Sequence, residues 1–145
     1  MHKILLPIDG SEPALRAVHY LIGRASLVKE PMEILLLNVQ PPVQERRGAA
    51  GGRPQDGHNP EEAHRAEGDK ALAPARKLLE AAGIKHQRHV ELGEPVQLIN
   101  HYAEIYHCDE IVMGTRGMSP IYNLVLGSVT TKVLHVTTVP VVLVK

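Results

Sequence analysis

Three stretches of this chain are apolar without alternation: Ile4-Leu5-Leu6-Pro7-Ile8, Ile34-Leu35-Leu36-Leu37-Asn38-Val39 and Val139 to Val144. Strands that read this way are covered on both faces, and that arrangement belongs to parallel sheets. Two weaker strand candidates, His86 to Leu92 and Asp109 to Met113, bring the number to five. Between the strands the period changes. Ala14, Ala17, Val18, Leu21, Ile22 and Ala25 mark one face of a helix that follows Asp9-Gly10, with Ser11 placed to cap it and Pro13 in its first turn. Ala71, Leu72, Ala75, Leu78, Leu79 and Ala82 mark a second helix, ended by Gly83, with Pro74 obscuring where it starts. Gly93-Glu94-Pro95 opens a third, whose Val96, Ile99, Ala103 and Tyr106 share a face, and Val129, Val133 and Val136 mark a fourth.

This alternation predicts a doubly wound α/β fold with right-handed crossovers and a parallel sheet, in one domain spanning residues 1–145. Pro41 to about Gly68 interrupts the pattern with Pro-Pro, Arg-Arg, Gly51-Gly52 and few large apolar residues. It reads as a mobile loop within the domain, because the regular pattern resumes after it.

Composition narrows the function classes. Hydrophobic residues make up 43%, enough for a packed interior, while aromatics are 3% and all of them tyrosine. The core must come from Leu, Ile, Val and Ala, and a base-stacking surface for single-stranded nucleic acid has no material. Sixteen basic residues balance sixteen acidic ones, which removes the electrostatic footprint of DNA or RNA binding. A lone cysteine, Cys108, reads as a small half-buried apolar residue and not a nucleophile, and fits a reducing compartment. The first apolar run is too short for a signal-peptide core, and no stretch reaches the roughly 20 apolar residues of a membrane helix. A cytoplasmic protein that contacts neither nucleic acid nor membrane is expected.

The segment that carries chemistry is Gly114-Thr115-Arg116-Gly117, nine further residues, then Gly127-Ser128-Val129-Thr130. Glycine lets backbone approach a ligand closely. Gly127-Ser128 falls where the last helix begins, so unpaired N–H groups and the helix dipole favour an anion there. The hydroxyls of Ser128 and Thr130 add donors. Gly114 lies at the carboxyl end of a strand, where open α/β sheets bind ligands, and Asp9 ends the first strand, where a carboxylate suits ribose hydroxyls. This is neither a Walker loop nor a Gly-x-Gly-x-x-Gly fingerprint. Arg116 either touches a phosphate or faces solvent, and Lys132 reads as surface charge.

Taken together, these residues resemble the universal stress protein family over the whole chain outside the Pro41–Gly68 stretch. The resemblance is carried by Ile4-Leu5-Leu6-Pro7-Ile8-Asp9-Gly10-Ser11, Asn38-Val39, Ile111-Val112-Met113-Gly114-Thr115-Arg116-Gly117, Leu126-Gly127-Ser128-Val129 and Val139-Pro140-Val141-Val142-Leu143-Val144. The Gly-x2-Gly-x9-Gly-Ser spacing is that of the family's ATP-binding branch. The resemblance implies sheet order 3-2-1-4-5 and an ATP site, with Mg²⁺ as the accompanying ion. Val39 and the backbone of Pro7 and Ile8 would contact adenine, and Asp9 the ribose. Met113, Gly114 and Gly117 would line the site, with Gly127, Ser128, Val129 and Thr130 at the phosphates. Asn38 departs from the histidine frequent there.

The function so implied is a nucleotide-dependent regulatory module. A slow ATPase is the enzyme alternative, disfavoured because no base or water-orienting residue accompanies the glycines. An FMN-binding flavodoxin-like protein is poorer still, since Tyr122 is the only aromatic in the candidate segments. A pyrophosphatase of related fold would need a Ser-Gly-Gly-x-Asp-Ser loop where this chain has Pro7-Ile8-Asp9-Gly10-Ser11. Nine histidines offer no metal pair at i, i+4 helical spacing: His86 and His89 fall on opposite strand faces, His101 and His107 are six apart, and His58 and His64 lie in the loop reading. In the implied sheet order Val139 to Val144 is an edge strand without charge, which predicts a homodimer built on it.

Overall fold

A computed structural model describes residues 1–42, 60–115 and 126–145. Five strands, β1 (His2–Pro7), β2 (Met32–Gln40), β3 (Lys85–Leu92), β4 (Glu110–Gly114) and β5 (Val141–Val144), form one parallel sheet in the order β3-β2-β1-β4-β5. Helices α1 (Glu12–Leu27), α2 (Pro60–Ala81), α3 (Pro95–Ile105) and α4 (Ser128–Val136) pack on its two faces.

Side chains of successive strand residues point to opposite faces, so an unbroken apolar strand feeds two cores. Ile4, Leu6, Ile34, Leu36 and Val112 join Ala17, Val18 and Leu21 of α1 and Leu72, Ala75 and Leu79 of α2 on one face. Leu5, Leu35, Leu37, Ile111 and Met113 join Val96, Ile99 and Tyr102 of α3 and Val133 of α4 on the other. Leu36 is completely buried at the first of these interfaces. Leu36→Ala is therefore expected to cost about 2–5 kcal/mol through lost burial and the cavity left behind. A urea-unfolding midpoint close to wild type would contradict this packing.

Two expectations are corrected. The Pro41–Gly68 stretch is not loop throughout, because α2 begins at Pro60 and takes in nine residues read as loop. Pro60 fits a first helical position, and Glu61 and Glu62 sit where the helix dipole favours anions. The buried residues of this part are His64 and Gly68, so no large apolar residue announces the helix. A Cβ on Gly68 would overlap Val90 and lie 2.9 Å from the Asn38 amide oxygen; the missing side chain lets α2 close onto β2 and β3. His64 is thus a buried helical residue. Pro74 stands inside α2 on its exposed side, where the carbonyl it leaves unpaired is open to water. Residues 43–59 of the stretch lie outside the described residues.

The second correction concerns Ser11. It occupies the N-cap position of α1 with extended backbone, yet its hydroxyl makes no cap bond. By contrast, Glu94 caps α3 with both carboxylate oxygens, accepting from Val96 N and Gln97 N at 3.1 and 2.9 Å. Gly83, at φ +68°, ends α2, and Ile84 N–H returns to the Leu79 carbonyl at 3.0 Å. Cys108 is buried, and burial pushes its thiol up to about 11, so it stays protonated and inert at neutral pH.

Candidate functional site

The carboxyl ends of β1 and β4 are neighbours, and a crevice opens above them. Much of its lining is apolar: Leu37 and Val39 from β2, Met113 from β4, and Pro95 and Ile99 from α3. Its lining also has polar members, Asp9, Ser11, Thr115 and Thr130. A ligand that is flat and apolar at one end and anionic at the other matches this division.

Local chemistry explains how β1 ends here. Ile8 N–H donates to the Leu37 carbonyl at 2.8 Å, continuing the ladder past Pro7. The buried Asn38 amide donates to the Ile8 carbonyl at 2.8 Å and accepts from Gln40 Nε2 at 2.7 Å, which fixes the strand end from below. Gly10 then adopts φ +87°, a turn that favours glycine. Asp9 accepts from Ser11 N–H at 2.9 Å through Oδ1, holding its exposed carboxylate at the rim.

Two helix amino termini open on the crevice. The reading of the glycines anticipated one of them, α4, whose N-cap is Gly127 with no side chain to occupy the first N–H groups. The other is α1, where Ser11, Pro13 and Ala14 line the crevice and the Ser11 hydroxyl leaves the helix end uncapped. Each end carries unpaired N–H groups and the positive pole of a helix dipole. Among the described residues of the lining, Asp9 alone carries a charge, so the donors the lining offers are backbone and hydroxyl groups.

The structure brings Pro7, Ile8, Asp9 and Val39 together with Met113, Gly114, Gly127, Val129 and Thr130 around this one crevice. Ser128 is different: it is exposed and does not line the crevice, while Thr130, two residues further along the helix, is buried and does. Gly114 has a packing role as well. A Cβ there would overlap the Pro13 carbonyl and sit 2.9 Å from Ala14 N, so its glycine lets the first turn of α1 rest on β4. Arg116, Gly117 and Tyr122 lie outside the described residues. Lys132 is exposed. Thr115, Leu37, Pro95 and Ile99 were missed from the sequence; Ile99 was legible only as a core position of α3.

Comparison with known proteins decides the family. A profile of the universal stress protein family matches residues 1–145. The chain belongs to that family. Universal stress protein MJ0531 of Methanocaldococcus jannaschii is 33% identical over 146 residues, covering 99% of this chain and 81% of the relative. YxiE of Bacillus subtilis, also a universal stress protein, is 28% identical across 99% of both. Among solved structures, MJ0577 superposes with a TM-score of 0.78 at 27% identity, covering 99% of this chain and 94% of that one. A universal stress protein of Arabidopsis thaliana solved with AMP bound shares the fold, with a TM-score of 0.70 at 19% identity over 100% of this chain and 92% of that one. The sheet order of the universal stress protein fold is the one found here, 3-2-1-4-5.

Proposed function

We propose that this universal stress protein is a single-domain, cytoplasmic regulatory module that binds ATP in the crevice above β1 and β4. The carrying observation is the convergence of two uncapped helix termini on a crevice whose lining is largely apolar. Adenine would rest on Val39, Met113 and the backbone of Pro7 and Ile8, with the ribose at Asp9. The phosphates would meet Gly127, Val129 and Thr130, with Ser128 at the outer rim and Arg116 and Gly117 on the segment between. Among the described residues no three His, Cys, Asp or Glu side chains gather for a metal ion, so Mg²⁺ would arrive as the counter-ion of the phosphates. Titration calorimetry with ATP, AMP and GTP tests the reading. Micromolar binding of the adenine nucleotides is expected, and heat from none of them would end it.

Hydrolysis is expected to be slow. No described lining residue is a charged group able to act as a base except Asp9, whose place is at the ribose. A phosphate-release assay with Mg²⁺ should give turnover far below the typical enzyme median of about 10 per second. Turnover near that value would make the protein an enzyme.

The two sheet edges suggest how copies associate. β3 carries Lys85, Arg88 and Glu91, the charges that protect an edge from other strands. β5 carries none, all four of its residues are half-buried, and Leu134 and Val136 of α4 are exposed. A homodimer pairing β5 antiparallel across a two-fold axis would cover them. Val142→Lys should then convert a dimer in light scattering to a monomer. A dimer that survives this change has its interface elsewhere.

A further inference from the structure

Thr115 occupies an unusual place. It lines the crevice, is 7% exposed, and spends both of its donors on one atom of the edge strand. Its N–H reaches the Val144 carbonyl at 2.9 Å and its hydroxyl reaches the same oxygen at 3.3 Å. Immediately before it, Gly114 stands beside Val144 in the β4–β5 register and bears on Pro13 and Ala14 of α1. The peptide joining Gly114 to Thr115 is therefore wedged between the first turn of α1, which is pocket wall, and the end of β5. β5 is only four residues long, is held by a single neighbouring strand and has no fully buried side chain. Such a strand opens more readily than the centre of the sheet.

We infer that Thr115 is a positioning residue that links occupancy of the crevice to docking of the edge strand β5. The inference rests on the nucleotide reading above and adds regulation to it. When the end of β5 lifts from β4, both Thr115 bonds break together and this wall of the crevice loses its support. A ligand that needs the wall binds the docked form and not the lifted one. Binding must then hold β5 down by the same factor that docking strengthens binding. For a ligand that binds only the docked form, the lifted population falls by 1 + [L]/Kd, about 100-fold at a hundred times Kd. β5 is also the strand whose free edge is proposed to pair with a second copy, so the pocket would set how firmly that edge is presented.

Hydrogen exchange read by mass spectrometry tests this, using whichever of ATP and AMP binds more tightly by calorimetry. At a hundred times Kd, exchange in a peptide covering residues 139–145 should slow by up to about 100-fold. The β3 peptide covering residues 85–92, at the far edge and absent from the lining, should change much less. Thr115→Val keeps the backbone N–H and the side-chain shape while removing the hydroxyl. It should speed β5 exchange in the free protein several-fold, the worth of one neutral hydrogen bond, and leave β3 unchanged. Nucleotide binding with β5 exchange unaltered in the wild type overturns the inference and leaves the nucleotide reading standing. An unaltered β5 in ligand-free Thr115→Val overturns the role of the hydroxyl. Failure of both nucleotides to bind removes the nucleotide reading, and this inference with it.

Discussion

Gly114→Ala is expected to destabilise the protein by about 2–4 kcal/mol and to weaken nucleotide binding at least tenfold. The added methyl group meets backbone, the Pro13 carbonyl and Ala14 N, and backbone cannot rotate aside as a side chain does. Relief requires the first turn of α1 to retreat from β4. That turn carries Ser11, Pro13 and Ala14 of the crevice wall, so stability and binding should fall together. Denaturant unfolding and calorimetry on one preparation measure both. An unchanged midpoint would mean that α1 sits farther from β4 than described. Gly68→Ala makes a useful comparison, because its obstacles are side-chain atoms, both Val90 methyl groups and the Asn38 amide oxygen, and not backbone.

Gly127→Val is expected to cut ATP affinity by about 100-fold or more, the loss of roughly 2.7 kcal/mol of binding, while leaving the fold in place. Here the backbone imposes no conflict. Gly127 has φ −55° and ψ 153°, a conformation open to any L-residue, and its carbonyl still accepts from Thr131 N–H at 3.0 Å. What changes is the space in front of the first N–H groups of α4, where a phosphate would lie. Calorimetry on a variant with native circular dichroism separates the two effects. Near-wild-type affinity would refute the placement of phosphate at this helix end.

Most of the fold was legible because its strands are buried on both faces. Ile34 to Val39 could be little else than an interior parallel strand, and β1 and β5 read the same way. The helices α1 and α3 showed themselves by apolar spacing, since their inner faces are mostly Ala, Val, Leu and Ile, with Tyr102 in α3. The first part of α2 did not, because its buried residues are His64 and Gly68, and Gly68 meets the sheet at Val90 and Asn38. Packing there depends on how near two backbones approach, a quantity with no trace in hydrophobic periodicity. Pro60-Glu61-Glu62 was the available signal, a helix start written in φ restriction and dipole complementarity. In the crevice the same distinction holds. Gly114, Gly127 and Thr130 were legible because they belong to a motif, and Asp9 because it ends the first strand; Gly117 lies outside the described residues. The part played by α1 was hidden, since a serine at an N-cap position normally satisfies the helix end, and here it leaves that end open.

The sheet order also has a consequence for how the chain folds. β1 pairs on one side with β2, where Ile4 stands opposite Ile34, and on the other with β4, where Ile4 stands opposite Glu110. The second pairing closes a loop more than three times as long, costing about 1.1 kcal/mol more in chain entropy. The β1–α1–β2 unit can therefore assemble early, and β4, α4 and β5 join it late. The crevice lies along that seam, with Pro7 and Asp9 from the early side and Met113, Gly127 and Thr130 from the late side. Ligand capture in the crevice therefore reports that the late side has docked onto the early one.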